Sequence, residues 1–423
     1  MLFKEIIKRK RDGFELSDGE IKESIKRYLK GEISDYQMAA FLMAIYFKGM
    51  TDSETLHLTD AMLRSGETIN ININGIIVDK HSTGGIGDKV SFIIAPVLAE
   101  LGLPAVLLSG RALGFTGGTA DKMESTGIKV TLNKQEIEDV VKRFGFSISC
   151  QTEKIAPADR KIYALRDATS TVESIPLIVS SILSKKLCVN TQGIVFDVKV
   201  GSGAFMKTMN EAEKLAEGLV NVSKLYGKKA GAAITDMNQP LGRSVGNAIE
   251  IIESLNALSG DISNDLLEVV TTLTGILFKI TEKGSFEEGK EKAENIILSG
   301  KALNRFCEWI EYLGGTTKLS IGKRRILVKS DKEGYITEID GEALGFLIIE
   351  TGGGRKRKED KIDYSAGLKF FKKIGNYVKK GEPIGEIICN IGDSTAFINK
   401  FLSAFKIEEN KPERLNLIKE IIP

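Results

Sequence analysis

The chain has 423 residues, of which 42% are hydrophobic and 27% charged, an ordinary globular composition with length for two or three domains and a large core. Its formal net charge of +2 points neither to nucleic acid nor to an anionic membrane as a partner. Cys150, Cys188, Cys307 and Cys389 are far apart and lack CxxC spacing, and the two histidines are His57 and His81, so a disulfide scaffold and a cysteine-rich zinc site are excluded and a reducing, cytoplasmic setting is expected.

Residues 1–13 carry Lys4, Lys8, Arg9, Lys10 and Arg11 among scattered apolar residues; no apolar segment follows, so no signal peptide is expected. Three capping boxes come next, Ser17-x-x-Glu20, Ser34-x-x-Gln37 and Thr51-x-x-Glu54, and the segments they open end near Gly31, Gly49 and Gly66. The spacing predicts three short helices over residues 1–66, too few to bury their own faces. From Gly75 the pattern changes. Ile76–Val78 reads as a buried strand leading into a glycine-rich loop, 79–88. The apolar stretch 90–110 is split by Pro96, by the Gly102–Pro104 turn and by Glu100, which favours a buried helix and then a strand over a membrane span. That strand, Ala105–Leu108, ends in a second glycine-rich loop, 109–119. A third run, Ile194–Val200, ends in Gly201-Ser202-Gly203; Thr208-x-x-Glu211 opens a helix to about Tyr226, and a fourth run covers Ala232–Thr235. Strands alternating with helices imply a largely parallel sheet whose ligand loops leave the strand carboxyl ends. Beyond about Ser330, short alternating runs surround the basic segment 352–361, where Arg355-Lys356-Arg357-Lys358 reads as a solvated face. The expected fold is therefore α/β: a small all-α domain, 1–66, a larger α/β domain with a mostly parallel sheet, 75–330, and a C-terminal α+β, β-rich domain, 331–423.

The loop at 80–91 gathers Lys80, Ser82, Thr83, the N–H groups of three glycines and Ser91, a set suited to a doubly charged oxyanion. It is neither a Walker A loop nor a dinucleotide fingerprint. Taken alone it could equally be a glycine-rich turn with surface serines. Ser109, Gly110, Arg111, Gly117, Gly118 and Thr119 repeat the chemistry at a nearby strand end, so the two loops are expected to converge on one phosphate.

The segment 109–125, SGRALGFTGGTADKMES, resembles the signature of the thymidine and pyrimidine-nucleoside phosphorylase family. Lys80-His81-Ser82-Thr83-Gly84-Gly85, Tyr163-Ala164-Leu165-Arg166-Asp167 and Asp197-Val198-Lys199-Val200-Gly201-Ser202-Gly203-Ala204-Phe205 are similar to that family as well, and the likeness extends through Gly352–Arg355 and Asp363–Gly367. The resemblance implies reversible phosphorolysis of uridine, thymidine or deoxyuridine to free base and α-D-(deoxy)ribose 1-phosphate. Inorganic phosphate would be the co-substrate, with no organic cofactor. It assigns phosphate to Lys80, Ser82, Ser91, Ser109 and Thr119, and the base to His81, Arg166, Ser181 and Lys185. Of these, His81, Arg166 and Lys185 would be catalytic, because cations aimed at the ring oxygens stabilise the departing pyrimidine anion most in the transition state. His81, with an ordinary value near neutrality, would share or donate a proton at the base. From the residues alone, Arg166 and Lys185 read as surface side chains of a helix and Ser181 as a routine helix serine. Phe205, Leu113 and Val172 suit a core, and by resemblance the base pocket; His57 reads as structural.

The segment around 160–190 would join the helical domain to grip the base, with hinges near 67–79 and 150–160 closing it on the sheet domain. A homodimer is implied, with no nucleic-acid or membrane partner. Two positions depart from the family. Phe115 stands where histidine is usual. The positions of a potassium site fall on Gly87, Lys89, Leu241, Ser244 and Glu253, and Lys89 replaces a threonine, so its ammonium is expected to pair with Glu253 in place of the ion. The rivals are an anthranilate-type phosphoribosyltransferase, whose fold the family shares, and a non-catalytic nucleoside- or phosphate-binding protein.

Overall fold

The computed structural model describes residues 1–112, 114–357 and 359–423. It opens with helices α1 (Phe3–Arg11), α2 (Asp18–Leu29), α3 (Asp35–Lys48) and α4 (Asp52–Leu63). The last three start at the expected capping boxes, and α1 precedes them unexpectedly. Its basic run masks an inward face of Phe3, Ile6 and Lys10 at helical spacing. Lys10 is buried because its ammonium donates to both oxygens of Glu54 at 2.8 Å, while the same carboxylate caps α4 through the Thr51 N–H.

The middle of the chain runs β1 (Val78–Ser82), α5 (Val90–Glu100), β2 (Ala105–Ser109), α6 (Thr119–Glu124), α7 (Lys134–Phe144), β3 (Phe146–Cys150), α8 (Pro157–Ala168), α9 (Ile175–Lys186), β4 (Gly193–Val200), α10 (Met209–Leu225), β5 (Lys229–Asp236), β6 (Ser244–Gly246), α11 (Ala248–Leu258), α12 (Asn264–Ile280), α13 (Phe286–Leu298) and α14 (Lys301–Tyr312). Ala158, Ile162 and Leu177, from α8 and α9, pack into one core with Phe3, Phe41, Leu58 and Met62 of the first four helices. A second, larger core lies along the sheet, where α12 packs against β4, β5 and α5, and α10 packs on β4 and β5 and against α4 and α9.

The remainder is β7 (Arg324–Lys329), β8 (Gly334–Ile339), α15 (Gly341–Glu350), β9 (Gly367–Phe370), β10 (Tyr377–Val378), β11 (Pro383–Cys389), α16 (Ser394–Ser403), β12 (Phe405–Glu408) and β13 (Ile418–Ile422). Two sheets, ordered β10-β8-β12 and β6-β9-β11-β7, enclose a third core in which Phe401 stacks between Phe370 and Phe405.

The central sheet has the order β13-β5-β4-β1-β2-β3. All neighbours are parallel except β13, which pairs antiparallel with β5. Three expectations need correction here. Strand β1 extends to Ser82 rather than stopping at Val78, so Lys80, His81 and Ser82 lie on the strand and not in the loop; partners brought from distant segments make those buried polar groups tolerable. The tail at 418–422, expected in the C-terminal unit, closes an edge of the central sheet. Conversely β6, from the middle of the chain, supplies an edge of the C-terminal sheet through Ser244–Lys369 and Gly246–Gly367, and β7 begins that unit's strands before residue 331.

Candidate active site

The strand order turns at β1: the chain steps outward from it to β2 and β3, then returns to its other side for β4 and β5. Such a switch point leaves a crevice beyond the strand carboxyl ends, because the two following connections leave in opposite directions. Strand β1 pairs with β4 over five residues but with β2 at Val78–Ala105. The gap between β1 and β2 is bridged by Lys186 of α9, whose ammonium donates to Asp79 Oδ1 at 3.1 Å and to the Leu108 carbonyl at 2.9 Å.

On the sheet side, Lys80 is fully buried, with its ammonium 3.4 Å from Ser91 Oγ, 3.8 Å from Asp88 and 4.0 Å from Asp197. Burial pushes its pKa down, against the pull of Asp88 and Asp197. Burial alone would raise the Asp88 carboxyl, but Lys80, Lys199 and Lys122 together hold it far below the usual range. Ser82 ends β1, and its hydroxyl accepts from the Gly84 N–H at 3.1 Å. Ser91 lies in the first turn of α5, Ser109 ends β2, and Thr119 is the first residue of α6. The hydroxyl-bearing residues Ser82, Ser91, Ser109 and Thr119 are each half-buried. The two loops are tied together: Lys122 of the second donates to the Asp88 carbonyl of the first at 2.7 Å, and its other partner is Glu250, also at 2.7 Å.

The helical side presents Lys185, whose ammonium donates to Ser181 Oγ at 3.1 Å and Asp159 Oδ2 at 2.6 Å. Arg166 is 1% exposed, and its guanidinium reaches the carbonyls of Thr171, Leu177 and Val172 at 3.3, 3.1 and 2.6 Å. It thus holds the α8–α9 turn in shape, and the reading of Arg166 as a surface side chain of a helix is corrected: it is buried, with its guanidinium engaged by its own backbone. His81 follows Lys80 on β1, edge-on to Phe196 on the neighbouring strand at 6.4 Å. Burial, then Lys186, Lys80 and Lys185, push its pKa well below the ordinary value. The expected proton donor is therefore a neutral imidazole near pH 7, which can donate a hydrogen bond but carries no spare proton.

Several functional candidates escaped the sequence reading: Asp159, Lys186, Lys122 and the Asp197–Lys199 pair, 2.7 Å apart on β4. Their partners lie up to 128 residues away in the chain, as for Lys122 and Glu250; the one local signal was the place of Lys122, Asp197 and Lys199 inside quoted motifs, and Asp159 and Lys186 had none. Phe205 and Phe115 pack together at 5.6 Å, and Phe115 also meets Phe346 of α15 at 6.1 Å. At this departure from the family pattern, an aromatic bridge joins the second loop to the C-terminal unit. Val172 places its carbonyl on Arg166, Leu113 lies outside the described residues, and His57 sits 4.0 Å from Asp18 among the N-terminal helices. Arg355 is not a solvated residue: it pairs with buried Asp121 of α6 at 2.9 Å, and Lys358 of the same run lies outside the described residues.

The potassium positions converge, but on a side chain. Lys89 Nζ donates to the carbonyls of Gly87 and Leu241, each at 2.7 Å, and lies 3.1 Å from Glu253 Oε2. The Ser244 carbonyl lies against Gly87, beside this cradle. An ammonium already fills the cradle, so these residues do not fit a potassium ion.

The two sides of this crevice belong to a glycosyltransferase: residues 74–303 match the glycosyl transferase family a/b domain and residues 4–66 its helical bundle domain. Residues 335–408 match the pyrimidine nucleoside phosphorylase C-terminal domain. The chain belongs to the pyrimidine-nucleoside phosphorylase family. It is 42% identical over 428 residues to the pyrimidine-nucleoside phosphorylase of Staphylococcus epidermidis, covering 99% of each chain. The enzymes of that name from Geobacillus stearothermophilus and Bacillus subtilis are 43% and 42% identical over 396 residues, covering 91% of this chain and 92% of theirs. The anthranilate phosphoribosyltransferase of Thermus thermophilus shares the fold, with a TM-score of 0.58 at 19% identity over 73% of this chain and 99% of that one.

Proposed function

We propose that the protein catalyses the reversible phosphorolysis of pyrimidine nucleosides. A phosphate oxygen attacks C1′, the C1′–N1 bond breaks with its electron pair going to the base, the base takes up the proton that the hydrogen phosphate gives up, and the products are free pyrimidine and α-D-(deoxy)ribose 1-phosphate. Lys80, Ser82, Ser91, Ser109 and Thr119 hold the phosphate. Arg166, Ser181 and Lys185 hold the base, and His81 donates a hydrogen bond to a ring oxygen as a neutral imidazole. The observation that carries this reading is a sheet strand on which His81 follows the buried Lys80, with the Lys185–Ser181 pair presented from the helices. Negative charge developing on the leaving base meets cations already in place, which lowers the barrier without reorganisation.

The two sides are joined by connections that touch one another: the Glu67 N–H donates to the Lys154 carbonyl at 2.9 Å, and Ile69 bridges to Val189. Closure about these crossings, near 67–79 and 150–160 with a third at 188–193, brings base and phosphate together. A homodimer is supported by the exposed Tyr36, Tyr46 and Phe47 on α3. No helix among the described residues is long and apolar enough to cross a membrane, and the spread of free cysteines supports a cytoplasmic setting. Purified protein is expected to release uracil from uridine, or thymine from thymidine, when phosphate is added and not without it. Base release independent of phosphate, or transfer from phosphoribosyl diphosphate alone, contradicts the reading.

A further inference from the structure

Lys89 is completely buried, and the environment around it is that of a small cation site. Two carbonyl oxygens from separate segments, Gly87 and Leu241, point at its ammonium at equal distance, and one carboxylate, Glu253, completes the approach. The cradle is close-fitting: a methyl group added at Gly242 would lie 2.8 Å from the Lys89 nitrogen and 2.6 Å from Glu253 Oε1. Glu253 is itself fixed, because Oε1 accepts from the Arg243 N–H at 2.6 Å. Burial disfavours the charge on Lys89, but Glu253 and Glu250 more than compensate, and the group stays an ammonium.

What the cradle does follows from what it joins. Gly87 lies between Ser82 and Ser91 in the first phosphate loop, at φ +78°, and its Cα hydrogen faces the carbonyls of Leu241 and Ser244, with no room for a methyl. The Ile86 carbonyl accepts from the Leu241 N–H at 3.1 Å. The ammonium thus clips the phosphate loop to the segment 241–253.

We infer that Lys89 is a built-in monovalent cation: its ammonium occupies the position where related chains would bind potassium, and it makes the phosphate loop of this protein independent of the ion. An ammonium and a potassium ion have similar size and the same charge, so the exchange preserves the electrostatics while the covalent tether removes any cost of ion binding. Lys89 touches neither substrate nor reacting atoms, so it is a positioning residue.

Melting of the wild type is compared in potassium, sodium and tetramethylammonium chloride at equal concentration, because a ligand that binds the folded state alone raises its melting point. The midpoint is expected to agree within about 1 °C across the three salts. Lys89→Thr, which leaves a hydroxyl and opens the site, is expected to melt about 5–10 °C lower in tetramethylammonium. Potassium should recover at least half of that loss. The KM for phosphate should follow, rising about tenfold or more in the variant without potassium and falling when it is added, with kcat less affected. The kinetic readout depends on the phosphorolysis reading; the melting readout does not, so the two fail separately. A wild-type midpoint that climbs saturably with potassium overturns the inference even if the variant does not fold. A Lys89→Thr protein that melts like the wild type, or ignores potassium, overturns it as well.

Discussion

Lys186 and His81 show how much of the site's chemistry is set by single side chains. Lys186 is the strut across the gap between β1 and β2, and Asp79 beneath it is completely buried, with burial raising its carboxyl to about 6 against the pull of Lys186. Replacing Lys186 by methionine keeps the volume but leaves a buried carboxylate and a strand carbonyl without their donor. The expected loss is about 3–5 kcal/mol of stability, read by denaturant unfolding. For His81 the direction is opposite in charge. Its folded pKa lies below the unfolded value of 6.5, so its contribution to stability is complete above that value and is lost as pH falls through and below it. The same shift predicts that, beside the limb from the second ionisation of phosphate itself, His81 adds no limb to the kcat/KM profile for phosphorolysis between about pH 6 and 8. A limb near 6.5 that disappears in His81→Asn would contradict the neutral-donor role.

At the scale of elements, the capping boxes and the apolar runs ending in glycine loops were legible because their partners lie within a few residues in the chain. The helix starts at Ser17, Ser34, Thr51 and Thr208 stand where those patterns place them. Elements whose stability comes from remote partners were not legible. Helix α1 hides its buried face among five basic residues, β6 is three residues held by β9, and β13 is held by β5 almost 200 residues upstream. Strand β1 continues through Asp79-Lys80-His81-Ser82 because Lys186, Asp88 and Asp197 satisfy it from elsewhere. The hinge follows the same rule, since its third crossing is visible when Ile69 and Val189 are seen side by side. Gly66 is the tight point: a Cβ there would lie 2.3 Å from the Lys154 carbonyl and 2.6 Å from the Ala156 nitrogen. Gly66→Ala must push the two crossings apart. We expect kcat/KM for the nucleoside to fall by about a factor of 10–100, with phosphate binding to the free enzyme nearly unchanged in calorimetry; equal loss of both would place the defect in the sheet rather than the hinge.

For the whole molecule, the C-terminal unit does more than extend the chain. Arg355 pairs with Asp121, the Tyr364 hydroxyl donates to Glu124 at 2.7 Å, and Phe346 meets Phe115, all on or beside the short helix that carries Thr119. Arg355→Ala leaves Asp121 its partner Arg111 and the Ala112 N–H, so we expect only about 1 kcal/mol of destabilisation together with a raised KM for phosphate. The central claim concerns the division of the site: phosphate on the sheet loops, base on the helices. Calorimetric titration of Lys80→Ala and Lys185→Ala with phosphate alone and with nucleoside alone tests it most directly. The division predicts that Lys80→Ala loses phosphate affinity while keeping that for the nucleoside, and that Lys185→Ala does the reverse; matched losses of both ligands in either variant would contradict it.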